Sequence, residues 1–248
     1  MLAKIESRTV LGIEAKKVEV EVDMSGGLPC FTMVGLPDTA VKESRDRVIS
    51  AIKNCGFKFP PKKITINLAP ADLRKEGASF DLAIAVGILV SNGELEQGHV
   101  DGKVFCGELS LDGGLRPING ALPIAIGISK NGGNDFILPS ENAREAAIVS
   151  GISVFPARDL GEVVNFLKGN VKIEPLKVDF AEVPKPSDGF DIDFSDVKGQ
   201  WHVKRGLEVA AAGGHNILMI GPPGSGKTML AQRLVTILPG LSFEEMLE

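Results

Sequence analysis

Eight consecutive residues, Gly221, Pro222, Pro223, Gly224, Ser225, Gly226, Lys227 and Thr228, combine the residue types that handle a polyphosphate. They satisfy G-x-x-x-x-G-K-[ST] at every fixed position. In such a loop, glycines such as Gly224 and Gly226 let successive backbone N–H groups converge on an anion, and the helix that follows adds its positive end. Lys227 then reaches the β- and γ-phosphates, and the Thr228 hydroxyl binds the Mg²⁺ that bridges them. Ser225 contributes its small size and its amide. The implied cofactors are ATP and Mg²⁺, with the eight residues as the nucleotide site and Thr228 assigned to the metal through the nucleotide. The chemistry requires a buried strand feeding the turn and a helix leaving it, and the sequence predicts a strand over 217–220 and a helix over 228–238.

The elements around this loop belong to a chain of 248 residues, 44% of them hydrophobic, enough for one large or two ordinary domains. The first residues alternate apolar and charged like a strand and hold no continuous apolar core, so they do not read as a signal peptide. No stretch approaches a membrane span, and a cytoplasmic protein without membrane partners is expected. Cys30, Cys55 and Cys106 lie far apart with no C-x-x-C, and read as buried reduced thiols. His99, His202 and His215 are scattered, so a metal cluster is not expected. The net charge of −5 is concentrated: residues 174–197 hold seven acids against two lysines, together with Pro175, Pro184 and Pro186. That composition marks an interdomain linker. The expected organisation is a first domain over 1–170, an acidic linker over 171–195 and a second domain over 196–248.

Within the first domain, strands are predicted over 14–23, 31–34, 63–68, 136–138 and 153–155, with an extended stretch over 104–111. Helices are predicted from a cap at Asp38 or Thr39 to about Cys55, and over 79–90, 122–129, 141–149 and 160–168. This alternation gives an α+β or α/β domain. Two places invite sharper readings. Ser79, at the start of a helix after a glycine, is either a nucleophile or a helix cap, the second being the commoner role. The segment containing Lys42, Arg45, Arg47, Lys53, Lys58, Lys62 and Lys63 either meets nucleic-acid phosphates or is a solvated amphipathic face. Aromatic interleaving for base stacking is not evident there, which favours the second.

Four blocks carry a family resemblance: VGLPDTAVKESRDRVISAI, INLAPADLRKEGASFDLAIAVGIL, GELSLDGGLRPINGALP and DVKGQWHVKRGLEVAAAGGHNILMIGPPGSGKTMLAQRLVTILPGL. The sequence resembles the magnesium-chelatase-like AAA+ ATPases of the YifB/ComM type from its first residue to its last. The resemblance implies a first domain similar to the proteolytic domain of Lon, with the α+β fold of ribosomal protein S5 domain 2, and then the start of a phosphate-loop AAA+ α/β module. In Lon proteases a serine works with a lysine from a later helix. Ser79 falls near the serine position, but Leu122 stands where the lysine would be, so the domain is expected not to be a protease and to serve assembly or DNA handling.

In the second domain the resemblance places residues 196–200 beside the adenine and a helix over 204–212 ahead of the loop. His215 and Asn216 are read as structural, while Trp201 and Gly206 depart from the usual family residues. An AAA+ ATPase also needs an acidic strand, sensor residues and a neighbouring subunit's arginine, and these do not fit after Leu238. The sequence is therefore expected to be a piece of a longer protein, with catalytic residues absent, binding nucleotide weakly and not hydrolysing it. For the whole protein the leading expectation is a homo-hexameric, DNA-dependent ATPase acting on single-stranded or branched DNA, in branch migration or recombination during natural transformation. The alternatives are a chelatase motor subunit driving Mg²⁺ into a porphyrin, and a non-enzymatic module that binds DNA or a protein partner.

Overall fold

The computed structural model describes residues 2–133, 135–178, 192–240 and 245. The chain divides into two compact units, Met1–Glu182 and Val183–Glu248.

The first unit starts with a long hairpin. Strands β1 (Leu2–Leu11) and β2 (Glu14–Ser25) pair antiparallel from Leu2↔Asp23 to Leu11↔Glu14 around Gly12 and Ile13. The two-residue period of the sequence dictates the faces: Val18, Val20, Val22 and Met24 are buried, while Lys17, Glu19, Glu21 and Asp23 take the other side. Next come β3 (Cys30–Val34), helix α1 (Thr39–Asn54), β4 (Lys63–Ala69), α2 (Asp81–Ser91) and β5 (Lys103–Phe105). A short ribbon, β6 (Glu108–Leu109) with β7 (Leu115–Arg116), precedes α3 (Ala121–Lys130), β8 (Asp135–Pro139), α4 (Ala143–Ala146), β9 (Ser153–Ala157) and α5 (Leu160–Leu167).

The described residues build a seven-stranded sheet in the order β3-β4-β2-β1-β5-β8-β9. Neighbours β3/β4, β1/β5, β5/β8 and β8/β9 run parallel, and β4/β2 and β2/β1 antiparallel. The unit is thus a mixed α/β fold with a mostly parallel sheet, whose parallel pairs need helical crossovers. Alternate residues of β5, β8 and β9 face two cores. Phe105, Ile137 and Ala157 join the core formed with α1, α2 and α5, whereas Val104, Phe136, Leu138 and Val154 join the one formed with α3 and α4.

Helix α2 is apolar all round, and every residue in it is buried. Such a helix belongs inside, and its polar first residue, Asp81, must be matched there. The match is Arg47 of α1, whose Nε and Nη2 lie 2.6 and 3.1 Å from the two carboxylate oxygens. The Leu109 N–H donates to the same carboxylate at 3.2 Å. Asp81 therefore ties α1, α2 and β6 together. Burial pushes its pKa up to about 6, against the lowering effect of Arg47.

The structure corrects several expectations. Ser79 is not the cap of α2: the helix begins at Asp81 with Phe80 before it and no side-chain cap bond. The Ser79 carbonyl is instead engaged by the Gly107 N–H at 2.8 Å, which holds that residue outside the helix. The helix expected over 141–149 shrinks to a 3₁₀ turn, Ser140–Asn142, and the single turn α4. There the buried Asn142 amide exchanges two hydrogen bonds with the Ile118 backbone, at 2.8 and 3.0 Å, and pins the segment. The extended stretch over 104–111 breaks into β5 and β6 where Gly107 turns to Ser79. Of the cysteines, only Cys106 is buried; Cys55 is half-buried, and Cys30 is exposed because β3 is an edge strand. The acidic segment expected as a linker lies largely outside the described residues, and its described beginning runs beside β9, where the Leu176 N–H donates to Val154 at 2.8 Å.

Gly35 follows β3 at a close approach to β4. Its φ is +99°, and a Cβ there would lie 2.2 Å from the Leu68 carbonyl oxygen, a backbone atom that cannot swing away. Gly35→Ala is expected to cost about 2–3 kcal/mol, from left-handed strain and overpacking together. Urea unfolding of the variant checks this; an unchanged midpoint would show that β3 shifts freely.

Candidate nucleotide-binding loop

The second unit contributes a 3₁₀ turn (Phe194–Asp196), α6 (Trp201–Gly213), α7 (Lys227–Leu234) and a closing 3₁₀ turn (Val235–Ile237). Its core is small: Phe194, Val197, Leu207 and Leu230, flanked by Met219, Leu234 and Ile237. Polar contacts reinforce it. The Phe194 N–H donates to Thr236 Oγ1 at 3.1 Å, Arg233 lies 3.4 Å from Asp196, and Lys204 donates to the Val197 carbonyl at 3.1 Å.

The loop between α6 and α7 holds the first six motif residues, Gly221 to Gly226, and Lys227 and Thr228 open α7. Gly224 and Gly226 adopt φ of +79° and +83°, the left-handed backbone that the turn requires and that glycine takes without strain. The Ser225 N–H closes the turn on the Pro222 carbonyl at 3.3 Å, and α7 starts directly at Lys227. The first N–H groups of α7 have no acceptor within the helix, as at any helix start. The Lys227 ammonium donates to the carbonyls of Gly221 and Pro222, each at 2.8 Å, and contacts Ser225 Oγ at 3.3 Å. Among the described residues no carboxylate lies within 4 Å of it. A full positive charge thus rests on neutral acceptors. Gly221 to Gly224 and Thr228 are exposed.

The 196–200 segment is brought to this loop. Gln200, with φ of +53°, donates from Nε2 to the Ser225 carbonyl at 3.2 Å. The helix expected over 204–212 is present within α6, closed by Gly214 and by the His215 N–H on the Ala210 carbonyl. The strand expected over 217–220 is not formed. A strand needs a hydrogen-bonded neighbour, and the described residues of 192–240 contain none. Leu218 and Ile220 are 83% and 88% exposed. The helix expected over 228–238 ends earlier, passing into the 3₁₀ turn at Val235.

In the first unit Ser79 is half-buried and Leu122 is the second residue of α3, its N–H donating to Glu145 at 3.1 Å. Sequence reasoning missed Lys75. It is fully buried, its ammonium donates to the Pro70 carbonyl, and burial lowers its pKa. Its backbone links to Leu36 and Asp38, so it holds the 70–80 loop against the start of α1. No pattern of types or spacing singles out such a lysine. No group of three or more potential metal ligands occurs among the described residues, and none of their helices is long and apolar enough to cross a membrane.

Two family profiles match the chain: "Subunit ChlI of Mg-chelatase" over residues 20–142, and "Magnesium chelatase, subunit ChlI" over 193–248. Over its whole length the chain is 50% identical to the protein YifB of Salmonella typhimurium and 45% identical to the competence protein ComM of Haemophilus influenzae, covering 48% of each. The chain belongs to the magnesium-chelatase-like family of the YifB/ComM type. It spans about half the length of these YifB/ComM relatives. A weaker likeness, 28% identity over 136 residues, links 54% of the chain to Lon protease 2 of Bacillus subtilis, of which it covers 24%.

Proposed function

We propose that this chain is the nucleotide-binding part of an AAA+ motor that acts on DNA. The observation that carries the reading is the Lys227 ammonium, seated in a glycine turn at a helix start with carbonyls as its partners and no counter-carboxylate. Such a cradle suits a polyanion. The γ- and β-phosphates of ATP would take the ammonium, the free N–H groups at the start of α7 would take the phosphate oxygens, and the exposed Thr228 hydroxyl would hold Mg²⁺. Bound, the ion would screen the triphosphate charge. The bond from Gln200 to the loop at Ser225 supports reading 196–200 as the adenine side.

Similarity to a competence protein directs the motor to DNA, in branch migration or recombination during uptake. A cytoplasmic hexamer, with a Lon-like, S5-domain-2-like first unit over 1–170 and a linker over 171–195, completes the reading. Likeness to Lon protease 2 supports that fold without proteolysis, because Leu122 supplies no base for Ser79. In this reading the chain alone binds ATP without turning it over.

The test is ATP hydrolysis by the full-length protein, with and without single-stranded and four-way-junction DNA, beside a Lys227→Ala control. Expected is stimulation by DNA that the variant lacks. Hydrolysis indifferent to DNA would overturn the motor reading. The profile names favour a second reading, a subunit driving Mg²⁺ into a porphyrin, and hydrolysis that responds to porphyrin instead of DNA would select it.

A further inference from the structure

The basic segment of the first unit separates into an inward and an outward part. Arg47 is committed to Asp81. Lys42, Arg45 and Lys53 are exposed on α1, and at about 100° per residue they fall within one 80° sector of the helix. Beyond the helix, Lys58, Lys62 and Lys63 are exposed too. Among the described residues, Lys42, Lys53, Lys58, Lys62 and Lys63 have no carboxylate within 4 Å, and Arg45 reaches only Asp46, at 4.0 Å. In a chain of net charge −5, this is a surface on which the cations outnumber the neighbouring Glu43 and Asp46 of α1.

A groove of about 570 Å³ opens at the end of this surface, lined by Lys53, Phe57, Lys58, Phe59, Pro61 and Lys62. Both phenylalanines are half-buried and packed on the main core, so their rings are held in place. The loop is also fixed from outside, by Asn92 Nδ2 donating to the Lys58 carbonyl at 3.2 Å. The interleaving is written in the sequence itself, Phe57-Lys58-Phe59 ahead of Lys62 and Lys63, so the expectation that this segment lacks aromatic interleaving is corrected.

We infer that the groove binds single-stranded nucleic acid, with Lys53, Lys58 and Lys62 on the phosphates and the anchored Phe57 and Phe59 as a surface for bases. Fixed rings beside unpaired cations are what a strand with free bases uses. A duplex, with its bases stacked inside, gains only from the lysines, and an acidic peptide has no ring to stack. The choice of nucleic acid over other polyanions rests on the DNA reading above. The groove itself is independent of ATP.

The experiment is anisotropy of a labelled thirty-residue oligo-dT with the present chain, over a salt series, for the native protein, Lys53→Gln/Lys58→Gln/Lys62→Gln, and the matching triple Lys→Arg variant. The triple glutamine variant is expected to bind at least tenfold more weakly at low salt. Its log–log salt slope should be shallower by about 2, since each phosphate contact contributes about 0.7. The arginine variant should keep the native slope. An abasic oligonucleotide of equal length should bind about tenfold more weakly than oligo-dT. Equal binding by the native and glutamine proteins, equal binding of the abasic strand, or equal displacement by polyglutamate would each overturn the inference. Loss of DNA-stimulated hydrolysis with oligonucleotide binding intact would sink the motor reading alone.

Discussion

Arg47→Met is expected to destabilise the first unit by about 3–5 kcal/mol at pH 7.5, and by clearly less at pH 5. The first figure is the usual cost of stranding one partner of a buried ion pair. Asp81 is wholly buried at the head of an apolar helix, and without Arg47 only the Leu109 N–H and the helix end remain to support its charge. The pH dependence follows from the sign of the Asp81 displacement. Its folded pKa of about 6 lies above the ordinary 3.8. The stability this group contributes is therefore fully present below 3.8 and is lost as pH rises through about 6. Removing Arg47 removes the influence that lowers the folded pKa, so the variant's carboxyl enters the folded state protonated to higher pH. Urea unfolding of both proteins at the two pH values measures the difference. Adding Asp81→Asn to Arg47→Met should recover part of the loss and flatten its pH dependence. A loss equal at both pH values would show that Arg47 acts through packing and not through charge.

This pair also shows what the sequence made legible and what it did not. Alternation over β2 and β4 and the apolar run of α2 declare their elements, because local period alone sets which side is buried. The phosphate loop is legible for a different reason: its chemistry demands contiguous residues, so motif and site coincide in the chain. Arg47 read as one of several surface cations because its partner is Asp81, on another helix. The same distance in sequence concealed the Asn142 clasp on Ile118 and the burial of Lys75. The 217–220 segment is the reverse case. Its composition is that of a buried strand, but a strand is defined by a neighbour, and the described residues of 192–240 offer none.

Lys227→Ala is expected to weaken binding of Mg-ATP by about 10- to 100-fold. A hydrogen bond from a charged group is worth about 1.5–3 kcal/mol, and an ammonium shared by two phosphates makes at least one of this strength. The ammonium now resting on the Gly221 and Pro222 carbonyls must leave them to meet a phosphate, which offsets part of the gain. Those carbonyls belong to exposed residues, so water replaces the lysine there at little cost. For the same reason the variant should unfold at the native denaturant midpoint, which separates a binding defect from a folding one. Lys227→Arg should bind nearly as poorly, because the longer planar fork does not match a seat for a compact point charge. Thr228→Val should keep nucleotide binding in EDTA but lose the strengthening that Mg²⁺ confers, since its hydroxyl is needed only through the ion. Titration of a fluorescent ATP analogue, with and without Mg²⁺, reads all three. If Lys227→Ala bound within twofold of the native chain, the turn would be a glycine-rich corner with a lysine closing it, and the case for a phosphate site would fall with it.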